Sequence, residues 1–267
     1  MSPLLALKSL IPELDFAPSI QFGVPEIDSA LPSNGLRRGA IHEIFYNDPL
    51  IPNCVARTIP SILAYNARQS LLESLKDLNW GAANLTLKEK LTSLSLPRIV
   101  WIGRSCWPAP PALAALGVRG YGNNTSHHNE RDEFTTNSLV DSLFQGSLFI
   151  DPPDDSTTLW AIDLALRSPG VDLVVAATPR ISRITTQRFS LAARRYSTTA
   201  LLLRNYQDCN TPSSAHSKWV ISPSRSNTDT PSWNVYLAKL KGGALTQGGE
   251  WVVRLQEETK GAYGLCA

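Results

Sequence analysis

The alternation of apolar and polar positions divides this chain into two regimes. From residue 40 to 203, short apolar runs alternate with stretches of helical period, and after 217 only strand-like runs recur. Ala40 to Tyr46 (AIHEIFY), Arg98 to Ile102 (RIVWI), Ser147 to Ile150, Val171 to Ala177 (VDLVVAA) and Ala200 to Leu203 predict strands. Between them, residues 54–75 predict a helix, followed by a Leu-rich amphipathic stretch to Leu96, and 109–117 a short helix after prolines. Residues 157–167 place Leu159, Ile162 and Leu166 at helical spacing, with cap residues at Asp154 to Ser156 and a stop at Pro169-Gly170. Residues 184–196 place Phe189, Ala192, Ala193 and Tyr196 on one helix face. Polar stretches at 119–138 and 205–217 read as loops, and 218–222, 233–241 and 250–255 as three closing strands.

That order predicts an α/β fold: a mainly parallel twisted sheet with flanking helices and an antiparallel C-terminal extension. An N-terminal arm at 1–21, a core domain at 22–258 and a tail at 259–267 complete the expected organisation. The chain has 267 residues, of which 43% are hydrophobic and 18% charged, the balance of a folded domain with a full core. No run approaches the roughly 20 apolar residues that span a bilayer, and Met1 to Phe16 lacks a signal-peptide pattern. The 4 cysteines are widely spaced with no CxxC pair, which argues against a disulfide framework or zinc site and fits a reduced cytoplasm. A net charge of +2 leaves the question of nucleic acid to local clusters.

Three segments carry a resemblance. FGVPEIDSALPSNGLRRGAIHEIF at 22–45, LFIDPPDDSTTLWAIDLALRSPGVDLVV at 148–175 and VYLAKLKG at 235–242 resemble the RecA recombinase core. Within that group they look most like the ImuA subgroup, accessories of mutagenic translesion synthesis; the resemblance covers residues 20–258. It implies a RecA-like fold and partners in the DNA-damage response: a Y-family-like (ImuB-like) polymerase subunit, RecA and single-stranded DNA.

The parts that would hydrolyse ATP are missing from the text. A phosphate loop needs glycines and a Gly-Lys-Ser/Thr ending, so that backbone N–H groups cradle phosphates and lysine reaches the terminal ones. The matching stretch, Phe45 to Cys54 (FYNDPLIPNC), holds no glycine and no lysine. Asp48 would repel phosphate, and Pro49 and Pro52 each lack an N–H. Tyr46, Asp48, Ile51 and Pro52 thus mark a degenerate nucleotide site. The resemblance places Ser105 and Ala177 where the catalytic and magnesium-linked acids would stand, and Arg204 or Asn205 where a glutamine would sense nucleotide. No enzyme activity, cofactor or metal is expected.

Basic residues gather after the best strand. Arg180, Arg183, Arg188, Arg194 and Arg195, with Arg204 and Lys218 beyond, could neutralise phosphates where the resemblance places DNA-facing loops. Ile184 and Leu191 share a face with Arg188 and Arg195, so the same helix also reads as an ordinary solvated face. Lys239 and Lys241 fall where the resemblance places lysines that cross a protomer boundary to a neighbour's nucleotide; equally, they line the solvated face of a strand. His127-His128 and Asp151 to Asp155 read as loop polarity and helix capping. A competing expectation is a SulA-like division inhibitor, on a related fold, that binds the tubulin-like division protein.

Overall fold

The structure, a computed structural model, describes residues 19–46, 58–68, 70, 98–108, 146–224, 231–242, 249–258 and 262–266. The predicted helix at 109–117, the loop at 119–138, the Leu-rich stretch before Leu96 and the sites Asp48, Ile51 and Pro52 lie outside these residues. The elements are β1 (Ser19–Ile20), α1 (Pro25–Ser29), β2 (Leu36–Arg37), β3 (Ile41–Tyr46), α2 (58–68), β4 (Arg98–Ile102) and β5 (Ser147–Ile150). They continue with α3 (Asp155–Arg167), β6 (Val171–Ala177), α4 (Arg183–Tyr196), β7 (Thr199–Asn205), β8 (Ser217–Pro223), β9 (Ser232–Leu240), β10 (Glu250–Glu258) and β11 (Ala262–Cys266).

One nine-stranded sheet runs β11-β10-β9-β8-β3-β7-β6-β4-β5 among the described residues. The strands from β8 to β5 pair in parallel, and β8 to β11 pair antiparallel. The first strand of the parallel set, β3, therefore sits inside it, between β7 and β8. The α/β layout and the antiparallel extension agree with the pattern of the sequence.

Strand alternation explains the two layers. Ile44, Leu173, Val175, Leu201, Leu203 and Trp219 project to one face, where Ile59, Leu63 and Ala64 of α2 and Ile20, Phe22 and Ile27 of the N-terminal segment cover them. Ile41, Val174, Ala176, Ala200 and Leu202 project to the other, against Ile162 and Leu166 of α3 and Phe189 and Ala193 of α4. Both helices begin on side-chain caps. Asp154 accepts from the Thr157 N–H at 2.8 Å, and Ser182 from the Thr185 N–H at 3.1 Å. The bond from Thr157 holds the Asp154 carboxyl below its ordinary range.

Two boundaries differ from the expectation. Ile20, placed in the arm, is fully buried, and β1 pairs with β2 through Ser19↔Arg37 and Ile20↔Leu36. The end of the supposed arm is part of the core because a two-residue ribbon carries it there. The tail at 259–267 contains β11, which pairs with β10 from Arg254↔Cys266 to Glu258↔Ala262.

Candidate functional site at the carboxyl edge of the sheet

In open α/β sheets, ligands bind beyond the carboxyl ends of the parallel strands. Here that edge gathers Tyr46 (β3), Gly103 to Trp107 (after β4), Ala177 to Pro179 (after β6) and Asn205-Tyr206 (after β7). Gly103 has φ +86, and a Cβ built there would stand 3.3 Å from the Ala177 Cβ, so the ends of β4 and β6 close on each other. The chain then tightens into a single turn, Arg104–Cys106. That turn buries the Cys106 thiol, which donates to the Gly103 and Ile102 carbonyl oxygens at 3.1 and 3.2 Å. Ser105 is partly exposed on the same turn, and Tyr46 and Ala177 pack on the α2-side core. Burial, with Cys106 nearby, pushes the Tyr46 hydroxyl above its ordinary pKa. Of the positions that the resemblance assigns to a degenerate nucleotide site, Tyr46, Ser105 and Ala177 stand at this edge. A hydroxyl, a phenol and a methyl cannot hold magnesium as carboxylates do.

The basic positions separate into three groups. Arg180 and Arg183 stand at the carboxyl edge, both exposed, and Arg180 lies 3.5 Å from an Asp208 oxygen. Arg188, Arg194 and Arg195 follow α4 away from that edge; about 18 Å of helix rise separates Arg183 from Arg195. Arg188 lies 3.3 Å from Asp163 of α3, and Asp163 also holds Arg167 at 3.1 Å. The arginines adjacent in sequence are therefore not one patch at the edge.

Arg204 and Lys218 are the third group, and here the expectation is corrected. Arg204 has no solvent exposure; Nη1 donates to Glu43 Oε1 at 2.7 Å, and the guanidinium lies 5.2 Å from the centre of the Phe45 ring. Lys218 is 7% exposed, and its ammonium donates to the Thr211 and Cys209 carbonyl oxygens at 2.6 and 3.0 Å. Burial pulls the Lys218 pKa down, opposed by Glu43. Neither cation is open to an external phosphate. Among the described residues, the segment 206–216 closes over this part of the α3–α4 face. Buried cations need partners, and the carboxylate of β3 and the carbonyls of that segment supply them.

Lys239 donates to the Ser213 carbonyl oxygen at 2.7 Å, so it anchors the same segment. Lys241 is exposed in the turn after β9, with its N–H on the His216 carbonyl at 2.7 Å. The two lysines do not line one strand face, because β9 ends at Leu240.

The sequence reading passed over His42 and Glu43, although two adjacent polar residues inside an apolar strand were the visible signal. His42 is fully buried, with Nδ1 2.7 Å from Ser217 Oγ and Nε2 2.8 Å from the Arg37 carbonyl oxygen. Burial pulls its pKa down to about 4. At the opposite, amino edge, Asp172 is buried with neither oxygen hydrogen-bonded, and burial raises its pKa to about 7 against the pull of Arg38. Among the described residues no group of three or more His, Cys, Asp or Glu could hold a metal, and no helix is long and apolar enough to cross a membrane. No protein-family model matches the chain, and no curated protein matches it.

Proposed function

We propose that this chain is a RecA-like accessory protein of the DNA-damage response that binds partners and does not hydrolyse ATP. In this reading it supports error-prone translesion synthesis, and its partners are a Y-family-like polymerase subunit and RecA. The observation that carries the proposal is the set of residues at the carboxyl edge. Tyr46, Ser105 and Ala177 stand at the strand ends where the resemblance places the catalytic groups of a RecA-like ATPase, and the text between Phe45 and Cys54 offers no glycine or lysine for phosphates. A parallel sheet with an antiparallel extension after its last parallel strand is the layout that the resemblance implies, and it supports the RecA-like reading. With no carboxylate at Tyr46, Ser105 or Ala177, this reading gives the fold a role in surface recognition.

Single-stranded DNA is a secondary partner in this reading. Arg180 and Arg183, exposed after β6, are the cations in place for it. Arg204 and Lys218 are removed from that role by burial.

The test mixes the purified full chain with purified RecA, or with the polymerase subunit, and separates the mixture by size. Co-elution with at least one is expected. Elution of both apart from the chain at micromolar concentration overturns the proposal.

A further inference from the structure

The outer surface of the α3–α4 pair has a composition that neither the fold nor the carboxyl edge requires. Trp160 is 63% exposed, Leu164 50%, Ile184 80% and Leu191 55%. These are four of the large apolar side chains left open among the described residues, and they lie on two helices packed side by side. Trp160 and Leu164 are one turn apart on α3, and Ile184 and Leu191 two turns apart on α4, about 10 Å of rise. The core faces of both helices are already filled by Ile162, Leu166, Phe189 and Ala193, so packing among the described residues does not account for the outer ones. Clustered exposed apolar side chains rimmed by polar ones mark interaction surfaces.

The α4 side of the rim has one sign, whereas α3 contributes Asp155 and Asp163 beside Arg167. α4 contains no acidic residue. Around its aliphatic stripe stand Arg183, Arg188, Arg194 and Arg195, all exposed. Among the described residues Arg188 is the one of these four with an anionic partner, and Asp163 divides its charge between Arg188 and Arg167. Arg195 lies over the Tyr196 ring, 5.8 Å from its centre. Arg183, Arg194 and Arg195 have no carboxylate partner among the described residues.

We propose that the α3–α4 surface docks an acidic amphipathic helix of another protein. Its apolar face would lie on Trp160, Leu164, Ile184 and Leu191, and its flanking carboxylates would meet the α4 arginines. Helix-in-surface recognition uses anchors at i, i+3 or i+4 and i+7, the spacings at which Trp160 and Leu164 on α3 and Ile184 and Leu191 on α4 stand. The aliphatic centre favours a protein over a nucleic acid, because a phosphate backbone gains nothing from exposed Ile184 and Leu191. The charge favours an acidic partner over a second copy of this chain, which would set arginine against arginine. The proposal rests on this surface and not on the family resemblance.

The test selects peptides of about 16 residues, about four helical turns, from a displayed random library on the immobilised full chain. The same chain carrying Ile184→Ser and Leu191→Ser serves for counter-selection. Both residues are exposed, so the variant keeps its melting temperature. The expected winners are net acidic, carry apolar residues at helical spacing, and bind the parent at least tenfold more tightly than the variant by fluorescence anisotropy. Arg194→Glu with Arg195→Glu weakens them by a similar factor, and raising the salt weakens them further. Neutral or basic winners, winners indifferent to the substitutions, or no enrichment over the blank matrix overturn the proposal. So does a parent chain that sediments as a dimer and becomes a monomer on Ile184→Ser, which would assign the surface to self-association. Loss of oligo(dT) binding on the same substitution would assign it to nucleic acid, and equally ends the proposal.

Discussion

Arg204 donates to Glu43 at 2.7 Å, and neither side chain has any contact with solvent. The pair links β7 to β3 across adjacent strands and supports the segment 206–216 through Thr211, 3.4 Å from Arg204 Nη2, and Asp208, 3.8 Å away. Glu43 Oε2 and Arg204 Nε remain without hydrogen-bond partners. The pair is thus a specifying element of the fold more than a source of net stability, since desolvation offsets much of its attraction.

Removing one partner leaves the other charge buried. Arg204→Ala and Glu43→Ala are each expected to lower unfolding free energy by about 3–5 kcal/mol. The double replacement Glu43→Leu with Arg204→Met restores most of the loss. Urea unfolding of the four proteins checks this. Single variants within 1 kcal/mol of the parent, a threshold of about a typical surface change, would show that the pair is not insulated from water.

Two buried groups set opposing pH dependences. His42 titrates near 4 in the folded chain and near 6.5 when unfolded, so its contribution is present above 6.5 and is lost as pH falls through 4. The full loss is on the order of 3 kcal/mol. Asp172 titrates near 7 folded and near 3.8 unfolded, so its contribution is present below 3.8 and is lost as pH rises through 7. Asp172→Asn is therefore expected to stabilise the chain at pH 8.5 by a few kcal/mol, on the order of the shift, and to be nearly neutral at pH near 4. Chemical denaturation at both pH values decides it; an equal effect at both would mean that Asp172 is charged throughout.

The carboxyl edge makes a prediction about nucleotide. With Tyr46, Ser105 and Ala177 in place and no phosphate loop in the text, magnesium and ATP at millimolar concentration should leave the melting temperature unchanged and release no phosphate. A saturable shift in melting temperature would revive a nucleotide site of unusual form.

DNA contact at the edge is expected to depend on Arg180 and Arg183. The double change to Ala should weaken oligo(dT) binding at low salt several-fold and reduce the salt slope by about 0.7 per lost phosphate contact. Arg204→Lys should leave the slope unchanged, because Arg204 is buried. The reverse ranking would require the 206–216 segment to open on DNA.

The sequence made visible what local pattern controls. Val171 to Ala177 emerges as β6 from its unbroken apolar run, and Asp154 as a cap from its place before a helical stripe. What it concealed depends on distant pairing. Ser19 and Ile20 look like a loose arm until Leu36 and Arg37 pair with them. Ala262 to Cys266 looks uninformative until β10 gives it a ladder. Arg204 and Lys218 read as surface cations because their buried partners, Glu43 and the carbonyls of Cys209 and Thr211, come from other parts of the chain. Charge along a sequence carries no record of which face of a sheet will be closed.

The measurement that bears most directly on the central claim is affinity capture of the full chain from DNA-damaged cells, with mass spectrometry of what co-purifies. The account predicts a Y-family-like polymerase subunit or RecA, enriched over undamaged cells. Recovery of the tubulin-like division protein and its associates, with neither of those present, would contradict it.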